Sequence, residues 1–182
     1  MWCKKSFFVV SFIISMLVMS VCSAQTFYSA DKRASLVAPD EYVLATENDG
    51  MTIIKIQNNQ KDIVITFYVN TTRFDYSTLK DVPTERRKEI SEALLDNMVY
   101  NFTQKGYIVS LHKPEIDDHF IMIALDCAKN NKDYILSANS FIKDNYLFGL
   151  SIWAPARENL DEAFAIMGTL TIDGVPLENW IP

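Results

Sequence analysis

The chain has 182 residues, 49% hydrophobic and 22% charged, with only 5 glycines and 6 prolines. This composition excludes a disordered, collagen-like or low-complexity chain, and the length suits one globular domain rather than two. A formal charge of −6 provides no basic footprint for a nucleic-acid backbone, and no repeat is visible at a solenoid or propeller period.

Residues 1–24 read as a secretory signal peptide. Lys4 and Lys5 form a basic start, and Phe7 to Met19 is an apolar run broken only by Ser11 and Ser15. Ser20, Cys22, Ser23 and Ala24 follow as the small residues of a cleavage region. The run is too short to cross a hydrocarbon core of ~30 Å as a helix, and its flanks fit a signal h-region. The expected cut lies between Ala24 and Gln25, leaving residues 25–182 as a single mature domain with its core at 27–173 and a short tail. An uncleaved anchor helix is one alternative, and a lipoprotein carrying its lipid on Cys22 is the other. Met19-Ser20-Val21-Cys22 is a poor lipobox, because Val21 stands where Gly, Ala or Ser is usual. Signal removal takes Cys3 and Cys22 with it and leaves Cys127 alone, so no internal disulfide is expected. Nothing after Met19 is long and apolar enough for a transmembrane helix, and the expected location is extracytoplasmic, in a periplasm or secreted.

Ala34-Ser35-Leu36-Val37-Ala38 is an apolar stretch punctuated by Pro39-Asp40. Glu41 to Thr46 and Met51 to Gln57 read as strands joined by a turn at Asn48-Asp49-Gly50, residues that tolerate positive φ. After Asn58-Asn59-Gln60, a strand from Asp62 to Val69 places Ile63, Ile65, Phe67 and Val69 on one face. The period then lengthens. Asp81-Val82-Pro83-Thr84-Glu85 starts a helix, and Ile90, Leu94, Met98 and Phe102, with Leu95 and Val99 beside them, form its apolar stripe. Gly106 is its expected C′ residue, and the run Glu85-Arg86-Arg87-Lys88-Glu89 its solvated face. Asn70-Thr71-Thr72 and Asn101-Phe102-Thr103 match the glycosylation triplet, a match common by chance, and Asn101 falls inside that helix.

Beyond Gly106 the pattern returns to strands at Tyr107 to His112, Phe120 to Ala128, Lys132 to Lys143 and Tyr146 to Trp153. Asn130-Asn131 and Asp144-Asn145 are two-residue turns of the type I′ kind. Such turns pair Cys127 with Tyr134, Leu125 with Leu136, Ile142 with Leu147 and Leu136 with Trp153. Both faces of the resulting meander are largely apolar, so the sheet needs cover on both sides. A second helix, Glu158 to Gly168, presents Leu160, Ala163, Phe164 and Met167 on one stripe. Thr169 to Ile172 is a last short strand, and Val175 to Pro182 a tail. The fold class is α+β, a central antiparallel sheet covered by helices on both faces.

This order and spacing resembles the PsbP-like superfamily, which includes PsbP and the bacterial DcrB-like extracytoplasmic proteins. The local match is Trp153-Ala154-Pro155 leading into Phe164-Ala165-Ile166-Met167-Gly168-Thr169-Leu170. The resemblance spans most of residues 27–173 and rests on patterns rather than invariant residues. It implies an antiparallel sheet between helices, and function by gripping protein partners or assisting assembly. No binding motif transfers residue by residue. Calcium and manganese have been associated with PsbP itself, but this sequence carries no metal pattern to match.

Candidate chemistry is sparse. His112 and His119, the only histidines, bracket Glu115, Asp117 and Asp118. Such a set suits a divalent metal or a hydrolase, but no ligand spacing on a rigid element supports it, and a solvated loop is the better reading. Cys127 shares a strand face with Ile121, Ile123 and Leu125 and reads as core. Asp126, with Ser137 and Asn139, forms either a small polar pocket or a solvated strand end; Tyr68 and Trp153 form either an aromatic platform or core. No phosphate loop, nucleophile elbow or zincin motif is present. The expected role is therefore a non-enzymatic module that binds an envelope or secreted protein, with no catalytic residue, cofactor or metal assigned. A metal-dependent hydrolase at the His112–His119 loop and a small-molecule or lipid carrier are the alternatives.

Overall fold

The computed structural model describes residues 23–45, 50–155 and 158–181. The signal segment up to Cys22, and Asn48 and Asp49 of the expected turn, lie outside the described residues. Among the described residues the elements run, in order, β1 (Ala24–Tyr28), β2 (Ala34–Pro39), β3 (Val43–Leu44), β4 (Thr52–Asn58), β5 (Ile63–Arg73), a 3-10 turn (Leu79–Asp81), α1 (Thr84–Gln104), β6 (Ile108–Leu111), β7 (Glu115–Ile116), β8 (Ile121–Lys129), β9 (Lys132–Lys143) and β10 (Tyr146–Ala154). Then come α2 (Glu158–Met167), β11 (Thr171–Ile172), β12 (Val175–Pro176) and α3 (Leu177–Trp180).

The β8–β9–β10 meander follows from its turns. Asn130 and Asn131 adopt φ of 53° and 58°, and Asp144 and Asn145 adopt 51° and 70°. Two consecutive left-handed residues give the turn a twist that matches the flanking strands. The register is the one such turns dictate: Cys127 opposite Tyr134, Leu125 opposite Leu136, Ile142 opposite Leu147 and Leu136 opposite Trp153. β5 adds to the far side of β10 and extends the sheet to the order β3-β4-β5-β10-β9-β8-β6, with β7 also on β8.

Helix α1 lies on one face of this sheet. Its stripe of Leu94, Leu95, Met98, Val99 and Phe102 packs against a cluster that includes Ile121, Ile123, Leu125, Leu136 and Leu147. Trp153 stacks between Phe102 and Tyr134, with both ring centroids at 4.8 Å. The helix ends where glycine permits: Gly106 has φ +80°. The Gly106 N–H donates to the Thr103 carbonyl and the Tyr107 N–H to that of Phe102, the paired bonds of a Schellman motif.

The opposite face corrects the expectation of one sheet with helical cover. A second antiparallel sheet, in the order β1-β2-β11-β12, packs there together with α2. Ala34, Leu36 and Ala38 of β2 are buried against Ile54, Ile56, Ile63, Ile65 and Phe67 of β4 and β5. A strand buried on one face still needs partners for its backbone, and β2 finds β1 on one side and β11 on the other. The segment 24–28 is too short and mixed to announce itself as a strand. In α2, Ala163, Ile166 and Met167 are buried, while Phe164 is exposed. The i, i+3, i+4 spacing of those three defines the buried arc, and Phe164, one residue on from Ala163, falls outside it.

The tail is also corrected. Residues 175–180 form β12 and α3, so the folded domain runs past 173. The Trp180 ring meets Phe148 edge-on at 5.0 Å and Phe141 at 5.9 Å, and Lys143 Nζ sits 4.9 Å over its face. Trp180 is half-buried, so Trp180→Ala is expected to cost about 2–3 kcal/mol in urea unfolding, somewhat less than for a fully enclosed aromatic. An unchanged midpoint would show that the segment merely rests on the core.

Candidate functional site

The two histidines are held in separate local structures. His112 follows β6, and its Nε2 lies 2.8 Å from Asp126 Oδ2, with side chains 50% and 48% exposed. His119 lies in the turn before β8, where Asp117 Oδ1 accepts the backbone N–H groups of His119 and Phe120 at 2.7 Å each. Glu115 stands in β7, opposite Met122. Asp118 pairs with Arg87 at 2.9 Å. Among the described residues, no group of three or more His, Cys, Asp or Glu is placed to hold a metal. The loop that sequence spacing offered as an alternative metal site is a strand and a turn in which Asp117 and Asp118 already have partners.

Arg87 is the residue the sequence reading misplaced. It is not part of a merely solvated face: its side chain is only 16% exposed. Nε donates to the Val82 carbonyl at 2.7 Å and Nη2 to the Lys80 carbonyl at 2.9 Å. Nη1 reaches Asp118 and the Asp117 carbonyl. One guanidinium thus ties the start of α1 to the turn before β8. Its hydrogen bond holds the Asp118 carboxyl below the usual carboxylate range. A run of five charged residues on a helix carries no signal that singles out its third member.

Asp126 is taken up by His112, so no Asp126–Ser137–Asn139 pocket forms around a free carboxylate. Tyr68 and Trp153 are packing residues rather than a platform. The Tyr68 ring covers Gly149 so closely that a Cβ there would lie 2.1 Å from the ring. Burial raises the Tyr68 phenol, and a hydrogen bond with Ser140 opposes that shift. Cys127 is buried, and burial, with the nearby Asp126 charge, pushes its thiol up to about 11.

Shallow clefts open on the described surface. One, about 270 Å³, is lined by Phe74, Ile90 and Leu94 together with Arg86 and Glu89. Another, about 260 Å³, lies between Tyr107, Lys129, Lys132 and Tyr134. Both are open grooves rather than chambers that would enclose a lipid chain. More distinctive is the β6–β7 border of the large sheet. Ile108 is 76% exposed and Leu111 56%, and Ile116 is exposed as well. β6 ends the strand order, so this border is an edge among the described residues.

The solution structure of cyanobacterial PsbP (CyanoP) from Synechocystis superposes with a TM-score of 0.55 at 9% identity, over 85% of this chain and 95% of that one. The fold is PsbP-like. A crystal structure from Bacteroides thetaiotaomicron matches at TM-score 0.45 and 14% identity, over 81% of this chain and 48% of that one. LpqN of Mycobacterium tuberculosis, described as involved in cell envelope biogenesis, matches at 0.39 and 14%, over 88% of this chain and 96% of that one. No family model and no curated protein matches the sequence. At such identities the PsbP-like likeness describes architecture, and function has to be argued from the surface. Among the described residues, no helix is long and apolar enough to cross a membrane.

The Cys127 environment yields a direct test. In the unfolded chain the thiol ionises near 9.0, and in the folded chain near 11. The native state therefore keeps its proton where the unfolded state loses it, and this contribution to stability is present below pH 9 and declines as pH rises from there toward 11. Cys127 is expected to resist a thiol-specific disulfide reagent at pH 8 in the native protein and to react fully in denaturant, followed by absorbance. Rapid native labelling would place the thiol at the surface.

Proposed function

We propose that this protein is a non-enzymatic, extracytoplasmic module that binds or helps assemble another protein. The observation that carries the reading is the β6–β7 border, where Ile108, Leu111 and Ile116 expose apolar side chains along one sheet edge. Ile108 stands opposite Ala128 on one face, and Leu111 and Ile116 stand opposite Leu125 and Ile121 on the other, so apolar side chains flank both faces of one unpaired edge, the kind of edge another chain can pair with. The PsbP-like architecture is consistent with this reading. Export by residues 1–24, with cleavage between Ala24 and Gln25, belongs to the same proposal; Gln25 stands in β1 opposite Ala38, and its side-chain amide donates to the Tyr42 carbonyl at 3.0 Å.

Two measurements test it. The intact mass of the protein recovered from its own envelope or secreted fraction is expected to correspond to a chain beginning at Gln25; a lipidated Cys22 start or an uncleaved chain would correct the export model. Cross-linked capture from the same fraction is expected to enrich one protein over a control of similar acidity. Ile108→Asp combined with Leu111→Asp, at positions 76% and 56% exposed, should abolish that enrichment while leaving the unfolding free energy within about 0.5 kcal/mol of the parent for each exposed position. A partner retained by the double variant would move the contact elsewhere.

A further inference from the structure

The β6 edge has more definition than exposed apolar side chains alone. The His112 N–H donates to the Ala124 carbonyl at 3.3 Å. In an antiparallel ladder, alternate residues bond to the same neighbour. Ser110, opposite Asp126, and Ile108, opposite Ala128, therefore direct their backbone groups toward β8. The N–H and C=O groups of Val109 and Leu111 point the other way, into the open edge. Their side chains lie on the face that α1 covers, since Val109 stands opposite Cys127 and Leu111 opposite Leu125. Leu95 and Val99 of α1 are half-buried above that same face.

Charge narrows the occupant. The chain carries 23 acidic residues, yet from residue 97 to residue 114 it has none. Lys105 and Lys113 bracket β6, and Lys129 Nζ is drawn to the same end by the Lys105 carbonyl at 2.6 Å. A second copy paired antiparallel along β6 would set Lys105 against Lys113 and meet like charge at both ends, while the acid across the ladder, Asp126, is already paired with His112. An extended segment with acidic residues at its ends and apolar residues facing α1 meets opposite charge at both ends and backbone partners in the middle.

We propose that β6 receives such an acidic-ended, extended segment of a partner protein as an added antiparallel strand. The mode is strand addition, in which main-chain bonds give affinity and alternate side chains give selectivity. The proposal rests on the binding reading above and specifies how that binding is made. The same lysines also discourage unspecific edge pairing, so a direct test has to separate recognition from edge protection.

The probe is a dye-labelled short peptide alternating valine and threonine with two aspartates at each end, compared with its lysine-ended counterpart by fluorescence anisotropy on the purified chain. The acidic-ended peptide is expected to bind at least about tenfold more tightly and to weaken with added salt. Leu111→Pro removes an N–H that points outward and leaves the bonds to β8, a place where a strand tolerates proline. It should weaken the acidic-ended peptide at least about tenfold with its unfolding midpoint preserved. Lys105→Glu with Lys113→Glu should reverse the preference between the peptides, and this variant decides the matter if Leu111→Pro does not fold. Equal binding of both peptides, binding of neither, or an unreversed preference overturns the proposal. So does a concentration-dependent dimer, seen by sedimentation, that Leu111→Pro dissolves, since a second copy would then occupy the edge. A partner captured equally by the parent and by Leu111→Pro overturns strand addition while leaving the binding reading intact.

Discussion

The register of the β8–β9–β10 meander is the constraint on which the rest of the molecule depends. Four consecutive-pair turn residues with positive φ, Asn130-Asn131 and Asp144-Asn145, fix it. A slip of one residue would send Ile121, Ile123, Leu125 and Cys127 to the opposite face. With the register as it stands, those residues meet α1, and Leu150, Ile152 and Phe141 meet the second sheet. Gly149 then falls opposite Tyr68, and the ring of one fills the place of the side chain the other lacks.

The two covers are offset across the sheet. α1 packs over β6, β7 and β8, with its cluster reaching β9 and β10, on one face, while the small sheet and α2 pack mainly against β4, β5 and β10 on the other. Each strand pair is thereby buried well on one face and partly on the second. Both ends of the strand order, β3 and the β6–β7 border, lack a neighbouring strand among the described residues, and apolar side chains remain exposed at each: Val43 and Leu44 at one, Ile108, Leu111 and Ile116 at the other. The proposed partner site is one of these two ends, the one flanked by Lys105 and Lys113.

Small polar devices lock the covers in place. Tyr42, fully buried, donates its hydroxyl to Glu162 at 3.0 Å, and Lys61 pairs with the same carboxylate, joining α2 to the β4–β5 turn. Arg33 grips Asp173 with two parallel bonds of 2.8 and 2.6 Å, tying the start of β2 to the turn between β11 and β12. Arg87 does the same for α1. Exposed pairs of this kind contribute little stability by themselves, but each joins segments distant in sequence and so orients one cover against the sheet.

The sequence by itself determined the local structure. Alternation in Ile63, Ile65 and Phe67, the fourfold stripe from Ile90 to Phe102, Gly106 as a helix stop and the two Asn- and Asp-rich turns are all short-range signals, because backbone sterics and one-faced burial act within a few residues. From those turns the pairing of three strands follows, and with it the core position of Cys127. Only the tertiary structure decided the second sheet, the docking of Trp180, the outward turn of Phe164 and the grip of Arg87. Each depends on contacts between residues far apart in the chain, such as Ala34 with Ile172 or Trp180 with Phe148. The candidate surface divides in the same way. The lysines and the acid-free stretch around β6 are legible in the sequence, whereas the open edge exists only because seven strands pair in one order and nothing among the described residues follows β6.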